Sequence, residues 1–390
     1  MTIRPSSNDL PAGVLVLLAA GTFIVGTDAF VLNGLIPVIA NDLRVAESAV
    51  GQLSTIFAIT YAVSSPLIAA ATGAWDRKVL LGGGLLLFTV GMAGQAVGTS
   101  YALMAGSRVL AAIGAAAFQA NAYVVAGALA SDDRRGRALA TVAAGMSVSM
   151  VLGVPIGVFV AQDLGWRPLM WIIAGVSVLV ALAVPMLRPV RVPAVGLPAR
   201  LAVLVRPSIA KVLVVTTFGS LATFSVFVYL PLVVAPSATG AALSWVLVAN
   251  GAGQVVGNSL AGRWTDRFGT DRVRLWSLGG SAVALAVVAA AVYSLPATLV
   301  VVLVVGVFGG MLMVPQQHRL FALAPDAPTV ALGLNGSMAY LGGGLGSAFG
   351  GLVLDNAGVR WLPAAGALVA VLALTLAFAY RLAPSVVSAR

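Results

Sequence analysis

The 390 residues are 60% apolar and only 9% charged, with a mean hydropathy of +1.03. A water-soluble domain carries about 25% charged residues, so a water-facing globule of this size is excluded. Cysteine is absent and histidine occurs once, at His318, which excludes disulfide scaffolds, thiol catalysis and histidine- or cysteine-built metal centres.

A bilayer span needs about 20 apolar residues, and the chain has room for twelve. Apolar segments run at 12–40, 49–72, 79–98, 102–129, 138–161, 169–187, 210–232, 242–262, 273–293, 297–318, 329–352 and 362–382. The opening Met1–Pro11 carries Arg4 and Asp9 and is too polar for a cleavable signal. The first span is therefore expected to be an uncleaved helix.

Asp28 lies near the middle of the first span and Arg108 about two turns into the fourth. They are the two charged residues read as lying well inside spans. Each costs about 2.5–3.5 kcal/mol to insert, so each must face a cavity or a partner. A carboxylic acid at the site of Asp28 can bind and release a proton as its surroundings alternate between wet and closed. The alternative is a structural carboxylate fixed to a neighbouring helix. Arginine stays charged, so Arg108 needs water, carbonyls or a carboxylate; whether it reaches Asp28 is left open by sequence.

Neutral polar residues also punctuate the spans: Asn33, Gln119, Asn121, Tyr123, Asn250, Gln254, Asn258 and Asn335. They serve either as interhelical glue or as cavity lining. Phe30, Tyr61, Tyr123, Phe224, Phe227 and Tyr229 are the aromatic candidates for a mostly apolar cavity wall. His318 ends the tenth span beside Arg319 and reads as an interfacial residue. The abundant glycines of the spans read mainly as close-packing surfaces.

The loop after the second span reads Thr72-Gly73-Ala74-Trp75-Asp76-Arg77-Lys78, and the loop after the eighth reads Gly262-Arg263-Trp264-Thr265-Asp266-Arg267-Phe268-Gly269. A second echo follows the fifth and eleventh spans, where Asp163-Leu164-Gly165-Trp166-Arg167 matches Asp355-Asn356-Ala357-Gly358-Val359-Arg360. The chain is thus expected to be built twice. Residues 1–187 form one six-helix half and 210–390 the other. The stretch 188–209, with four arginines and four prolines, is a cytoplasmic linker.

The net charge of +10 raises nucleic acid as a partner, but the charges gather in alternate loops instead of one basic face. Arg77 and Lys78, then Arg134, Arg135 and Arg137, then Arg188, Arg191, Arg200, Arg206 and Lys211, then Arg263, Arg267, Arg272 and Arg274 crowd one side. The intervening loops carry Arg44, Arg167, Arg360 or none. Basic residues are retained in the cytoplasm, so both termini are expected there. Nucleic acid is not expected as a partner.

These residues resemble the major facilitator superfamily along the whole chain. The resemblance implies an all-α membrane protein of twelve transmembrane helices in two pseudo-symmetric six-helix bundles. The Asp-Arg loops resemble the family's signature cytoplasmic loop, which implies a conformational latch role for Asp76, Arg77, Asp266 and Arg267. The second copy is the better one; the first has Thr72 where glycine is usual and lacks the Gly-Arg that should follow. Arg108 with Gly114 resembles a fourth-helix motif associated with proton coupling. Gly145, Gly153, Val154, Pro155 and Gly157 resemble the antiporter motif of exporters. Gly26-Thr27-Asp28-Ala29-Phe30, followed by Leu35-Ile36-Pro37 and Asp42-Leu43, looks like the first helix of the drug/proton antiporter branch, especially the chloramphenicol-resistance and sugar-efflux-like exporters. That resemblance maps the proton and substrate role to Asp28.

The expectation is a proton-coupled exporter of small hydrophobic or amphipathic compounds across the cytoplasmic membrane. It acts as a monomer, with protons, a small-molecule substrate and the bilayer as partners and no cofactor or metal. The first rival is an exporter of a sugar, amino acid or nucleoside on the same scaffold. A proton-coupled importer is the second, and a membrane-embedded enzyme or receptor is the third. No paired carboxylates or phosphate-binding loop in the spans favours an enzyme.

Overall fold

The structure is a computed structural model that describes residues 12–73, 75–131, 134–190 and 196–380. Ala74, Arg191, Pro193 and the two chain ends lie outside those residues. Among the described residues every regular element is helical. The chain divides into two compact units, Met1–Leu197 and Pro198–Arg390.

The first unit holds α1 (Ala12–Gly34), α2 (Glu47–Ala71), α3 (Arg77–Ala96), α4 (Tyr101–Leu129), α5 (Arg135–Leu164) and α6 (Trp166–Met186). The second holds α7 (Pro207–Phe227), α8 (Ala241–Phe268), α9 (Thr270–Ala291), α10 (Leu295–Leu323), α11 (Pro328–Ala357) and α12 (Val359–Ala379). Eleven of the twelve are long and apolar enough to cross a membrane. The exception is α8, whose residues 242–262 were expected to form an apolar span. Its 28 residues reach about 42 Å at 1.5 Å per residue, ample for a bilayer core of about 30 Å. Asn250, Gln254, Asn258, Arg263, Asp266 and Arg267 dilute its apolar surface.

Prolines set the breaks. The first apolar segment divides into α1 and a short helix, Ile36–Leu43, because Pro37 has no N–H to continue the ladder. Within α10 the helical runs are Leu295–Gly310 and Met313–Leu323, interrupted just before Pro315. The connection between the halves contains a short helix, Leu197–Leu204, and Pro207 opens α7 at a position where a missing N–H costs nothing.

Duplication is visible in the backbone as well as in the sequence. Gly165 closes α5 with φ 85° and ψ 166°, and Gly358 closes α11 with φ 89° and ψ 166°, a conformation that side chains with a Cβ rarely adopt. Each is followed directly by the next helix. The same pairings of helices recur too. On α5, Gly145, Gly153 and Gly157 face Ala19, Thr27 and Val31 of α1, and a Cβ on Gly157 would lie 2.7 Å from the Val31 side chain. On α11, Gly342, Gly346 and Gly350 face Thr217, Leu221 and Ser225 of α7, and a Cβ on Gly346 would lie 2.6 Å from the Leu221 carbonyl. Glycine here lets backbones meet where lipid provides no hydrophobic drive.

Candidate functional site

The site grows from two helices. Ser100 opens α4 by accepting a hydrogen bond from Leu103 N, satisfying one of the orphan donors of a helix start. Arg108 follows two turns later. It meets Asp28 of α1 across the bundle at 2.9 Å, Nη1 to Oδ1, and both side chains are 0% exposed. Sequence left this pairing open, and the structure makes it.

Three further contacts hold the guanidinium. Nη1 also approaches the Asp28 carbonyl at 3.4 Å, Nε donates to the Leu53 carbonyl at 3.4 Å, and the cation lies 4.3 Å from the centre of the Phe57 ring. α2 therefore supplies a carbonyl and an aromatic face, which substitute for water around a charge that cannot be discharged. Gln95, in the last turn of α3 and wholly buried, lies against the Asp28 carboxylate. Sequence reading missed both Gln95 and Phe57. A lone glutamine one turn from the end of a span was a usable signal; a phenylalanine among apolar residues was not.

The antiporter-like helix runs beside this pair. In α5 the backbone takes a π turn at Ser149–Gly153, and the N–H of Val154 reaches back five residues to Ser149 O. Pro155 comes next and lacks a donor, so the wide turn and the proline interrupt the α ladder together. Ser149 and Met146 fill the space that a Cβ on Gly26 would need, and Thr27 does the same for Gly153. Gly145, Gly153, Pro155 and Gly157 are thus brought against the helix that carries Asp28.

The Asp-Arg loops take two different forms. In the second copy, Gly269 adopts φ 84°, which lets α8 continue through Asp266 and Arg267 to Phe268. Both side chains are exposed, and Arg267 lies over the Phe268 ring at 5.1 Å. The first copy has no glycine three residues after its acid, and the turn falls earlier. Asp76 becomes the N-cap of α3, accepting from Lys78 N at 3.0 Å and from Val190 N at 3.1 Å. Arg77 is buried, donating to Asn121 Oδ1 at 3.2 Å and Gly73 O at 3.1 Å. These contacts all lie within the first unit.

The polar candidates separate by what they touch. Asn33 of α1 accepts from Ser54 of α2 at 2.6 Å, and Asn335 of α11 accepts from Thr216 of α7 at 2.7 Å; both join helices. Tyr229 is fully buried with its hydroxyl donating to Ser347 O. Tyr61 is buried, stacked beside Phe57 with ring centres 6.4 Å apart. Gln119 is buried and bonds the half-buried Tyr123. Phe30 and Phe224 are half-buried, and Phe224 packs edge-on against Phe227 at 5.6 Å. In the second unit, Phe227 and Asn250 line a small cavity with Thr223, Val226, Leu230, Val288, Val302 and Val305. Gln254 donates to Asn250 there at 3.0 Å.

Charges are buried near helix ends and not only well inside spans: beside Arg77 of α3, Arg274 of α9 is fully buried and Arg319 of α10 nearly so. Arg274 bonds the Ala377 carbonyl at 2.8 Å and Asp271 at 3.1 Å, and Arg319 pairs with the same Asp271. Both arginines sit near helix ends and were read as loop charges from sequence. Burial arises because α12 packs over them, a tertiary fact absent from local spacing. His318 is exposed, as an interfacial residue would be.

Chemically, the first unit encloses a carboxyl group beside a permanent cation, with apolar side chains around them. Groups of three or more potential metal ligands do not occur among the described residues.

The family model described as Major Facilitator Superfamily matches residues 18–236 and 212–390. A chloramphenicol resistance protein of Streptomyces lividans is 35% identical over 94% of this chain and 96% of its own length. The uncharacterized MFS-type transporter YbcL of Bacillus subtilis is 30% identical over 93% and 95%, and the inner membrane transport protein YdhP of Escherichia coli gives the same three figures. Among solved structures, a bacterial homologue of the human lysosomal transporter Spinster, crystallised inward-facing and unoccupied, aligns with a TM-score of 0.77. That alignment covers 97% of this chain and 100% of the other, at 17% identity.

Proposed function

The chain belongs to the major facilitator superfamily, and on that premise we propose that it exports small hydrophobic or amphipathic compounds in exchange for protons, by alternating access. The observation that carries this reading is the wholly buried Asp28–Arg108 pair. A carboxylic acid enclosed there, in a multi-pass membrane transporter, has protonation as the means of losing its charge. Proton binding and substrate binding then compete through the same pair. Gly145, Gly153, Pro155 and Gly157 give α5 a wide turn beside α1, a place where helix packing can change as the pair is neutralised. Asp76, Arg77, Asp266 and Arg267 are proposed to bias which face is open.

The energetics suffice. Moving one charge across the membrane is worth about 2.3 kcal/mol per 100 mV, so one proton per cycle, helped by a pH gradient, sustains a substrate gradient of roughly a hundredfold or more. The Streptomyces lividans relative named for chloramphenicol resistance supports a hydrophobic antibiotic as the cargo. The basic loops support cytoplasmic termini in the inner membrane of a bacterium.

Expression in a drug-sensitive host tests this. Resistance to a hydrophobic antibiotic, chloramphenicol first, should rise with the wild type and not with Asp28→Asn inserted at equal level. Unchanged sensitivity across a broad panel would favour export of a sugar, amino acid or nucleoside instead.

A further inference from the structure

Around the Asp28–Arg108 pair, three buried atoms have no hydrogen-bond partner in the protein: Asp28 Oδ2, Arg108 Nη2 and Gln95 Oε1. Folded proteins leave few such atoms, and each asks for an explanation. Two of the three are acceptors belonging to side chains that lie against each other. The amide nitrogen of Gln95 is engaged with Met92 Sδ at 3.4 Å, so its carbonyl oxygen is the end left over.

An ionised carboxylate offers only lone pairs, as does an amide oxygen, and the two cannot bond. A protonated carboxyl carries an O–H, and then each satisfies the other. With its carbonyl oxygen turned to Asp28, Gln95 is therefore satisfied by the protonated acid. Arg108 of α4 is the charged group acting on Asp28. From α2 the pair meets the Leu53 carbonyl and the Phe57 ring, and from α5 the neighbouring part of α1 meets Met146, Ser149 and Gly153. None of these titrates in the working range.

We propose that Gln95 is a positioning residue for the transported proton: Asp28 is protonated at Oδ2, and the new O–H donates to Gln95 Oε1 while Oδ1 stays with Arg108. One O–H bond forms, the proton coming from a hydronium ion, and no electrons are transferred. Half a turn of the amide about its last bond presents Nε2 to the ionised carboxylate, so one side chain serves both states. This inference rests on the reading that Asp28 exchanges protons, and deepens it by naming the atom that takes the proton and the group that receives it.

Infrared difference spectroscopy on the full-length protein in lipid tests it. The carbonyl band of protonated Asp28 is identified by its loss in Asp28→Asn. In Gln95→Met, which keeps the length and removes the amide, that band should move to the higher frequency of a carboxyl without a hydrogen-bond acceptor; Gln95→Asn, which draws the same carbonyl back by one methylene, should move it partway. A structural role alone would leave the frequency in place. A readout that leaves position 95 unchanged is the carbonyl band of isotope-labelled glutamine, which should shift on acidification in wild type and not in Asp28→Asn. An Asp28 band that does not move in the folded Gln95 variants overturns the inference while leaving Asp28 as the proton carrier. Absence of any Asp28 band wherever the wild type stays folded overturns both.

Discussion

Replacing Asp28 and Arg108 by leucine, singly and together, probes the energetics of the site. At 2.9 Å the direct attraction is about 6 kcal/mol at an effective dielectric of 20, but both groups have surrendered their hydration. The net worth of such a pair against apolar replacements is small, whereas stranding one partner costs about 3–5 kcal/mol. Asp28→Leu should be the costlier single change, since a guanidinium cannot lose its charge while a carboxylate left by Arg108→Leu can take a proton. The double variant should unfold within about 2 kcal/mol of wild type, giving a coupling energy of about 3 kcal/mol or more. Denaturant unfolding in detergent micelles, followed by tryptophan fluorescence, measures all four proteins. A double variant whose loss equals the sum of the singles within about 0.5 kcal/mol would refute the reasoning, because the two groups would then not share one desolvated contact.

Neighbouring glycines of α3 make an internal control for helix packing. Gly84→Ala would place a Cβ 2.9 Å from both Gly114 O and Phe118 N and should destabilise by about 1–3 kcal/mol. Gly83→Ala has open space and should stabilise by up to about 1 kcal/mol; thermal melting distinguishes them, and equal effects would contradict the packing described. Ser54→Ala removes the donor to Asn33 and should cost about 1 kcal/mol, read the same way. At the water-facing ends of α7 and α11, Arg206 grips Asp326 through two bonds of 2.8 and 2.6 Å, and these hold the Asp326 carboxyl down to about 2. A depressed carboxyl contributes stability above its unfolded value of about 3.9 that is lost as pH falls through about 2. Arg206→Gln should therefore flatten the acid limb of the stability profile below about pH 4 and be nearly silent in high salt, both ions being exposed.

Much of this was legible in the sequence because lipid simplifies the rules. Segment length and apolarity give the spans, and the doubled Asp-Arg loops, with the Gly165-Trp166-Arg167 and Gly358-Val359-Arg360 turns, point to the two halves. Asp28 and Arg108 stood out because charge in hydrocarbon requires a reason. Their contact did not, since it depends on how α1 and α4 rotate about their axes, which helix packing sets only in three dimensions. Gln95 carried a signal but not its meaning: an amide near a span end has a plausible solvated fate, and only packing of α3 against α4 and α6 denies it. The unequal loops were half visible. The missing glycine after Arg77 was seen, but its effect, converting Asp76 from a helix-end residue into the N-cap of α3, follows only from where the chain must turn.

Proton movement in reconstituted vesicles addresses the central claim most directly. With a pH-sensitive dye inside and no imposed gradient, adding a transported compound to vesicles containing the wild type should drive protons in the direction opposite to the compound, and Asp28→Asn should abolish that signal while the protein remains folded. Protons moving with the compound, or a full opposite signal from Asp28→Asn, would contradict the account.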